Sequence, residues 1–190
     1  MNKQPEVTDA TRAAFVEVFC ALYKDNPIEK ITVTQIVRQT GYSRATFYHY
    51  FHDVYEVLEY VEDSFLATMM GTIRRNLQSG QPLDRFAESF IGLIQKERKR
   101  IDLFLGGVHS SQFLSKLMDH ALPVLMEAFA IGSENPTSVY ALKFYIAGLS
   151  SVLASWLRAD QTFSIEMLAD LIKGILEDGV LKQLSVNSLN

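Results

Sequence analysis

The sequence predicts an all-α protein, an N-terminal three-helix head built on a helix-turn-helix followed by a larger helical C-terminal body. About nine helices are expected in all. Three observations predict this. Apolar residues recur at three- and four-residue steps along the chain, and no stretch sustains period-two alternation. Clusters of Gly, Pro, Ser and Asn cut that pattern into pieces of helical length. Between Thr32 and Phe51, two short helical patterns are joined by a glycine turn. The expected division is a head over residues 1–52 and a body over residues 53–190.

The first helix is expected from about Thr8 to Lys24, with Ala14, Phe15, Val18, Phe19 and Leu22 on one face. Cys20 lies beside that stripe as a small packed hydrophobe. Asn26-Pro27 ends the helix, because proline disfavours helical geometry in the residue before it. Thr32 and Gln35 form a capping box that starts a second helix, running to about Gln39. Gly41 is placed to end it in a left-handed conformation. Ser43 caps a third helix, Arg44 to about Phe51.

A long fourth helix follows from Asp53 to about Leu77, stopped by Ser79-Gly80-Gln81-Pro82. A fifth passes through Phe86, Phe90 and Leu93 to about Lys99. The basic run Lys96, Arg98, Lys99 and Arg100 then falls at its end, where the helix dipole favours cations. Gly106-Gly107 marks a break, and Gln112 to about Ile131 reads as helical, with Pro123 expected to kink or split it. After the Gly132–Pro136 loop, two closing helices are expected, about Thr137–Arg158 and Ile165–Leu184.

Composition narrows the function classes. The 190 residues are 48% hydrophobic and 21% charged, ordinary for a folded chain and unlike a disordered one. Eighteen basic residues against twenty-two acidic ones leave a net charge of −4, so no overall field attracts polyanions. Any DNA binding must come from a local surface. One cysteine excludes an intramolecular disulfide framework and a multi-cysteine zinc site. Glu6 and Asp9, with no apolar segment between Met1 and Thr11, argue against a signal peptide. Val139–Leu157 is nearly long enough to span a membrane, but Ser150, Ser151 and Ser155 interrupt it, and it reads as a buried helix. The sequence holds no phosphate loop, nucleophile elbow or paired-carboxylate motif, and His109 and His120 lack a metal-ligand pattern. No enzyme, cofactor or metal is expected, and the compartment expected is the cytoplasm.

The third helix carries the chemistry. Phe47 and Phe51 make a core face, so Arg44, Ala45, Thr46, Tyr48 and His49 fall outwards or along the edges. Arg can donate two bonds to guanine, Ala or a Thr methyl can touch a thymine methyl, and hydroxyls can reach phosphates. The run Ile31-Thr32-Val33-Thr34-Gln35-Ile36-Val37, then Gly41-Tyr42-Ser43-Arg44-Ala45-Thr46-Phe47-Tyr48-His49-Tyr50-Phe51, resembles the TetR family of transcriptional regulators. The family's signature is I-T-V-x-x-I-A…A-G-V-S-x-x-T-x-Y-x-Y-F ahead of its fourth helix. The match covers roughly Thr8 to Phe65.

That resemblance implies a homodimeric regulator of transcription, most simply a repressor, on a palindromic site in double-stranded DNA. The body would dimerise and take a small apolar or aromatic effector, whose binding would tilt the fourth helix. By position, Arg44, Ala45 and Thr46 face the groove and Tyr48 anchors a phosphate without reading sequence. Ser43, His49 and Tyr50 join the contact surface, and Thr32 and Thr34 face phosphates. The family commonly has a lysine on a phosphate at the start of the fourth helix; here that position is Val54, with His52 the nearest substitute.

Charge argues against strong phosphate binding. Residues 1–60 hold six basic and eight acidic side chains, so the head is −2. That implies neutral hydrogen bonds and a shallow salt dependence. The alternative it motivates is a helical protein–protein adaptor with weak DNA binding. In the body, Phe90, Phe104, His109, Tyr145 and Trp156 are the candidate effector pocket, the last three offering polar tips. The first closing helix is apolar nearly all round and needs cover on both sides. The dimer seam is therefore expected at Leu149, Val152, Leu153, Trp156, Leu168, Ile172 and Ile175.

Overall fold

The computed structural model describes residues 5–78, 83–105, 110–159, 163–175 and 178–179. Among them are eight α-helices and no strand. They are α1 (Pro5–Asp25), α2 (Val33–Thr40), α3 (Arg44–Tyr50), α4 (Val54–Gln78), α5 (Leu83–Leu105), α6 (Ser110–Ala128), α7 (Pro136–Arg158) and α8 (Ile165–Ile175). A single 3-10 turn, Ile28–Lys30, follows α1. Its bonds run from Lys30 N to Pro27 O and from Ile31 N to Ile28 O, both at 3.0 Å. The sequence pattern does not signal this turn, in and beside which Ile28 and Ile31 are buried.

The chain divides into two compact units, Met1–Phe65 and Leu66–Asn190. The division thus falls inside α4, after Phe65, rather than after His52. The reason is packing: Val54, Val57, Val61 and Phe65, on one stripe of α4, are all buried. The first unit closes around Phe15, Phe19, Ile36, Phe47, Val57 and Phe65, each essentially inaccessible. Phe15 of α1 meets Phe47 of α3 edge-on at 5.3 Å and Tyr42 at 5.4 Å. Aromatic pairs at such angles are favourable because the positive ring edge meets the negative face.

In the second unit, α5 packs on α6, α7 and α8, and α6 on α7. Phe104 of α5 lies flat on Phe113 of α6, with centroids 4.7 Å apart. Here α5 continues to Leu105 instead of stopping near Lys99, because Ile101, Leu103, Phe104 and Leu105 are all buried against the unit. The basic run is therefore inside the helix and not at its end. Arg100 pairs with the buried Glu97 at 3.1 Å, and the Arg98 guanidinium lies 5.6 Å from the centre of the Trp156 ring. Pro123 sits within α6 without splitting it, on an exposed position. The helix ends at Ala128, earlier than Ile131, because Ala130 turns to a left-handed φ of 50°. Ile131 N then donates to Met126 O at 2.9 Å, a left-handed helix cap without the usual glycine. Asn135 and Pro136 start α7, the Asn135 side chain accepting from Ser138 N at 3.1 Å.

Candidate nucleic-acid interface

Two caps and one glycine set the helix-turn-helix. Thr32 Oγ1 accepts from Gln35 N at 3.3 Å while Gln35 Oε1 accepts from Thr32 N at 2.7 Å, a complete capping box. Gly41 ends α2 with φ 75°, its N–H bonded to Val37 O at 3.0 Å. An added Cβ at Gly41 would meet nothing within 4 Å, so glycine is required by the backbone angle and not by space. Ser43 Oγ accepts from Thr46 N at 3.0 Å and starts α3.

The expected contact residues separate into three groups. Arg44, Ala45, Tyr48 and His49 are exposed on α3, with Thr34 exposed on α2. Thr32 and Ser43 are exposed but their hydroxyls serve as caps, and Thr46 Oγ1 lies 2.8 Å from Ser43 Oγ. Tyr50 turns inwards. It follows Phe47 by three residues and so shares its face of the helix. Its ring lies 6.1 Å from Phe15, and the Arg12 guanidinium stacks 5.7 Å from its centre. Arg12 also lies 5.7 Å from the Tyr60 ring and 3.6 Å from Asp9, so this cation is engaged within the head.

The start of α4 differs from expectation. Val54 is 7% exposed and belongs to the core, so it does not occupy a backbone-facing position. The exposed residues there are His52, Asp53 and Tyr55. Asp53 Oδ1 accepts from Tyr55 N at 2.8 Å and Glu56 N at 2.9 Å, and His52 N donates to Glu56 Oε2. The Asp53 carboxylate thus satisfies two amides of the helix N-terminus that a phosphate would otherwise approach, and Glu56 ties down the residue before the helix.

A missed signal is tyrosine. Tyr42, Tyr48, Tyr55 and Tyr60 are all exposed in the first unit. Phenols donate neutral hydrogen bonds, which suits an acidic head. Tyr23 is the contrast: burial, then Glu62 and Glu29, push its pKa up to about 12.

In the second unit, Phe90 (by its side chain) and His109 lie outside the described residues. Phe104 is core, and the Trp156 indole N–H already donates to Phe163 O at 2.7 Å. Tyr145 differs, since its hydroxyl is shielded from solvent without a hydrogen-bond partner, and burial raises its pKa to about 12.

The expected dimer seam is also redrawn. Leu153, Trp156, Leu168 and Ile172 are buried within the unit, Leu149 is half-buried, and Val152 and Ile175 are exposed. The outward face instead shows Phe144 at 77%, Tyr140 at 69%, Met167 and Leu171. Between α7 and α8 lies an apolar groove of about 230 Å³, lined by Phe144, Gly148, Val152, Leu171 and Ile175 among others. α7 is the one described helix long and apolar enough to cross a membrane; it is expected as a buried helix, but only 39% of its apolar stretch is buried, through the face that packs on the unit.

No protein-family model and no curated protein matches the chain. Solved structures do. A TetR transcriptional regulator from Streptococcus agalactiae is 17% identical, with a TM-score of 0.64 over 90% of this chain and 96% of that one. The fatty acid degradation regulator FadR from Bacillus halodurans is 14% identical, with a TM-score of 0.66 over 95% and 98%. FadR from Bacillus subtilis, solved with stearoyl-CoA, is 14% identical, with a TM-score of 0.60 over 88% and 98%. The chain therefore has the fold of TetR-type transcriptional regulators.

One consequence concerns position 54. Val54→Lys should lower stability, by about 1–3 kcal/mol, because the ammonium must leave the core or stay unpaired in it. Thermal unfolding checks this; an unchanged melting temperature would place position 54 on the surface.

Proposed function

We propose that the protein is a sequence-specific DNA-binding transcriptional regulator of TetR type, acting as a homodimeric repressor on a palindromic operator and working in the cytoplasm. The observation that carries the reading is the outer face of α3, where Arg44, Ala45 and Tyr48 stand exposed above the buried Phe47. A short helix anchored on one side and polar on the other fits the major groove. The fold likeness to solved regulators supports it. No catalytic role is proposed for any residue.

Selection from random duplexes supplies the operator. Arg44→Ala should then cost about 1–3 kcal/mol on that operator and relax preference at one base pair per half-site. Retained preference would remove α3 from the groove. If the wild-type protein enriches no sequence, it works through a partner protein, the reading favoured by the carboxylates at the start of α4.

The dimer is assigned to the outward face of α7 and α8. Two copies meeting there would cover Phe144, Val152, Leu171 and Ile175 around a two-fold axis as a four-helix bundle. The recognition helices would then address half-sites about 34–36 Å apart or somewhat more. Phe144→Glu puts a charge on an exposed position, so the subunit keeps its own core. In sedimentation it should run near 21.5 kDa, and wild type near twice that. A wild-type monomer at micromolar concentration would end this assignment.

The effector reading rests on Tyr145, which lines the same α7–α8 groove, so a ligand and the partner subunit are alternative occupants of that space. A buried hydroxyl without a partner costs about 1–3 kcal/mol, which a ligand's polar atom can recover. A long-chain acyl-CoA, the ligand class of one structural neighbour, is the probe. It should raise the wild-type melting temperature and release DNA, with the shift reduced in Tyr145→Phe. No shift in wild type would exclude that class.

A further inference from the structure

Arg44 holds the first position of α3, and among the described residues it contacts no carboxylate. Its Nη1 donates to Thr34 Oγ1 at 3.3 Å and its Nη2 to the Tyr48 hydroxyl at 3.4 Å. The first bond crosses from α3 to α2, and the second spans one turn of α3. All three residues are exposed.

The chemistry of these partners matters. A guanidinium carries five N–H donors in one plane, so two bonds from its terminal nitrogens bias the orientation of that plane and leave donors over. Both acceptors are neutral, so the positive charge is not cancelled in a head that is otherwise acidic. A hydroxyl that accepts from Arg44 still has its own proton to donate. A Thr34 or Tyr48 hydroxyl bonded to a phosphate would therefore hold the backbone with its proton and Arg44 with its lone pair. Ordering Arg44 before DNA arrives also reduces the side-chain entropy lost on binding.

We propose that Thr34 and Tyr48 are positioning residues for base readout, their two hydroxyls orienting the Arg44 guanidinium toward its base pair. The inference rests on the DNA-binding reading and goes beyond it. It departs from the expectation that Tyr48 and Thr34 are phosphate anchors without sequence information. It also makes the α2–α3 angle part of the specificity, because Thr34 and Arg44 sit on different helices.

The test uses the full chain and two duplexes, the selected operator and the same operator changed at the base pair that Arg44→Ala relaxes. The readout is the ratio of the two affinities. Thr34→Val and Tyr48→Phe should each lower that ratio several-fold, toward the roughly tenfold loss that one misread base pair brings. Thr34→Ser, which keeps the hydroxyl, should retain it. In an Arg44→Ala background, Thr34→Val should lower it no further. Equal weakening on both duplexes, with the ratio intact, would overturn the proposal, since independent phosphate anchors behave that way. A second readout needs no DNA: ¹⁵N relaxation at Arg44 Nε should show a restricted side chain in wild type and a freer one in Thr34→Val and Tyr48→Phe. Unchanged mobility sinks the positioning role and leaves DNA binding standing. Failure of the wild type to select any sequence overturns both.

Discussion

The edge-on contact between Phe15 and Phe47 is the constraint on which the first unit turns. Phe47 is fully buried, and with Tyr50 it holds α3 to α1. With Phe47 pointing inwards, Ala45 falls on the far side of α3. Arg44 and Tyr48 lie along its edges and are exposed, while Tyr50 is half-buried. Phe51 completes the anchor, 5.8 Å from Phe47 by ring centres. A seven-residue helix has little stability of its own, so it exists because this cluster and the Ser43 cap hold it. The same contacts that make the helix also aim it.

The second constraint is charge. The head lacks the cationic surplus by which many proteins grip DNA, and Arg12 is committed to Asp9 and two tyrosine rings. The exposed polar groups of the helix-turn-helix include the hydroxyls of Thr34, Tyr42 and Tyr48 beside Arg38, Arg44 and His49. On the proposed DNA-binding reading, neutral hydrogen bonds from these hydroxyls would have directional demands and release no counterion. That places more weight on how Arg44 is oriented. In the body the balance is reversed: apolar surface is abundant, and α7 and α8 bury one apolar face while presenting another.

Much of this was legible along the chain. The Thr32–Gln35 capping box, the left-handed Gly41 and the Ser43 cap each stand where the sequence placed them, because caps and tight turns depend on residues within four positions of one another. The all-helical architecture was equally readable from periodicity. Helix ends were less so. The stop of α6 came from a left-handed Ala130 and the extension of α5 from burial of its last apolar turn, neither of which a local pattern reveals.

The pattern of residues along the chain was enough to locate the helices, though not all their ends, and the apolar stripe of each, since both follow from spacing on a single element. Tertiary structure decided which apolar stripe meets the subunit's own core and which is left outward. That is why Leu153 and Leu168 are interior while Phe144 and Leu171 face out, although all four are apolar residues on the same two helices. It also decided that Val54 is core, that the Trp156 N–H is satisfied, and that the Tyr145 hydroxyl is not. It set Thr34 beside Arg44 as well, ten residues away in the chain. These outcomes depend on helices meeting in space, and the angle and register of that meeting are set by all the packed side chains together, not by any one segment's pattern.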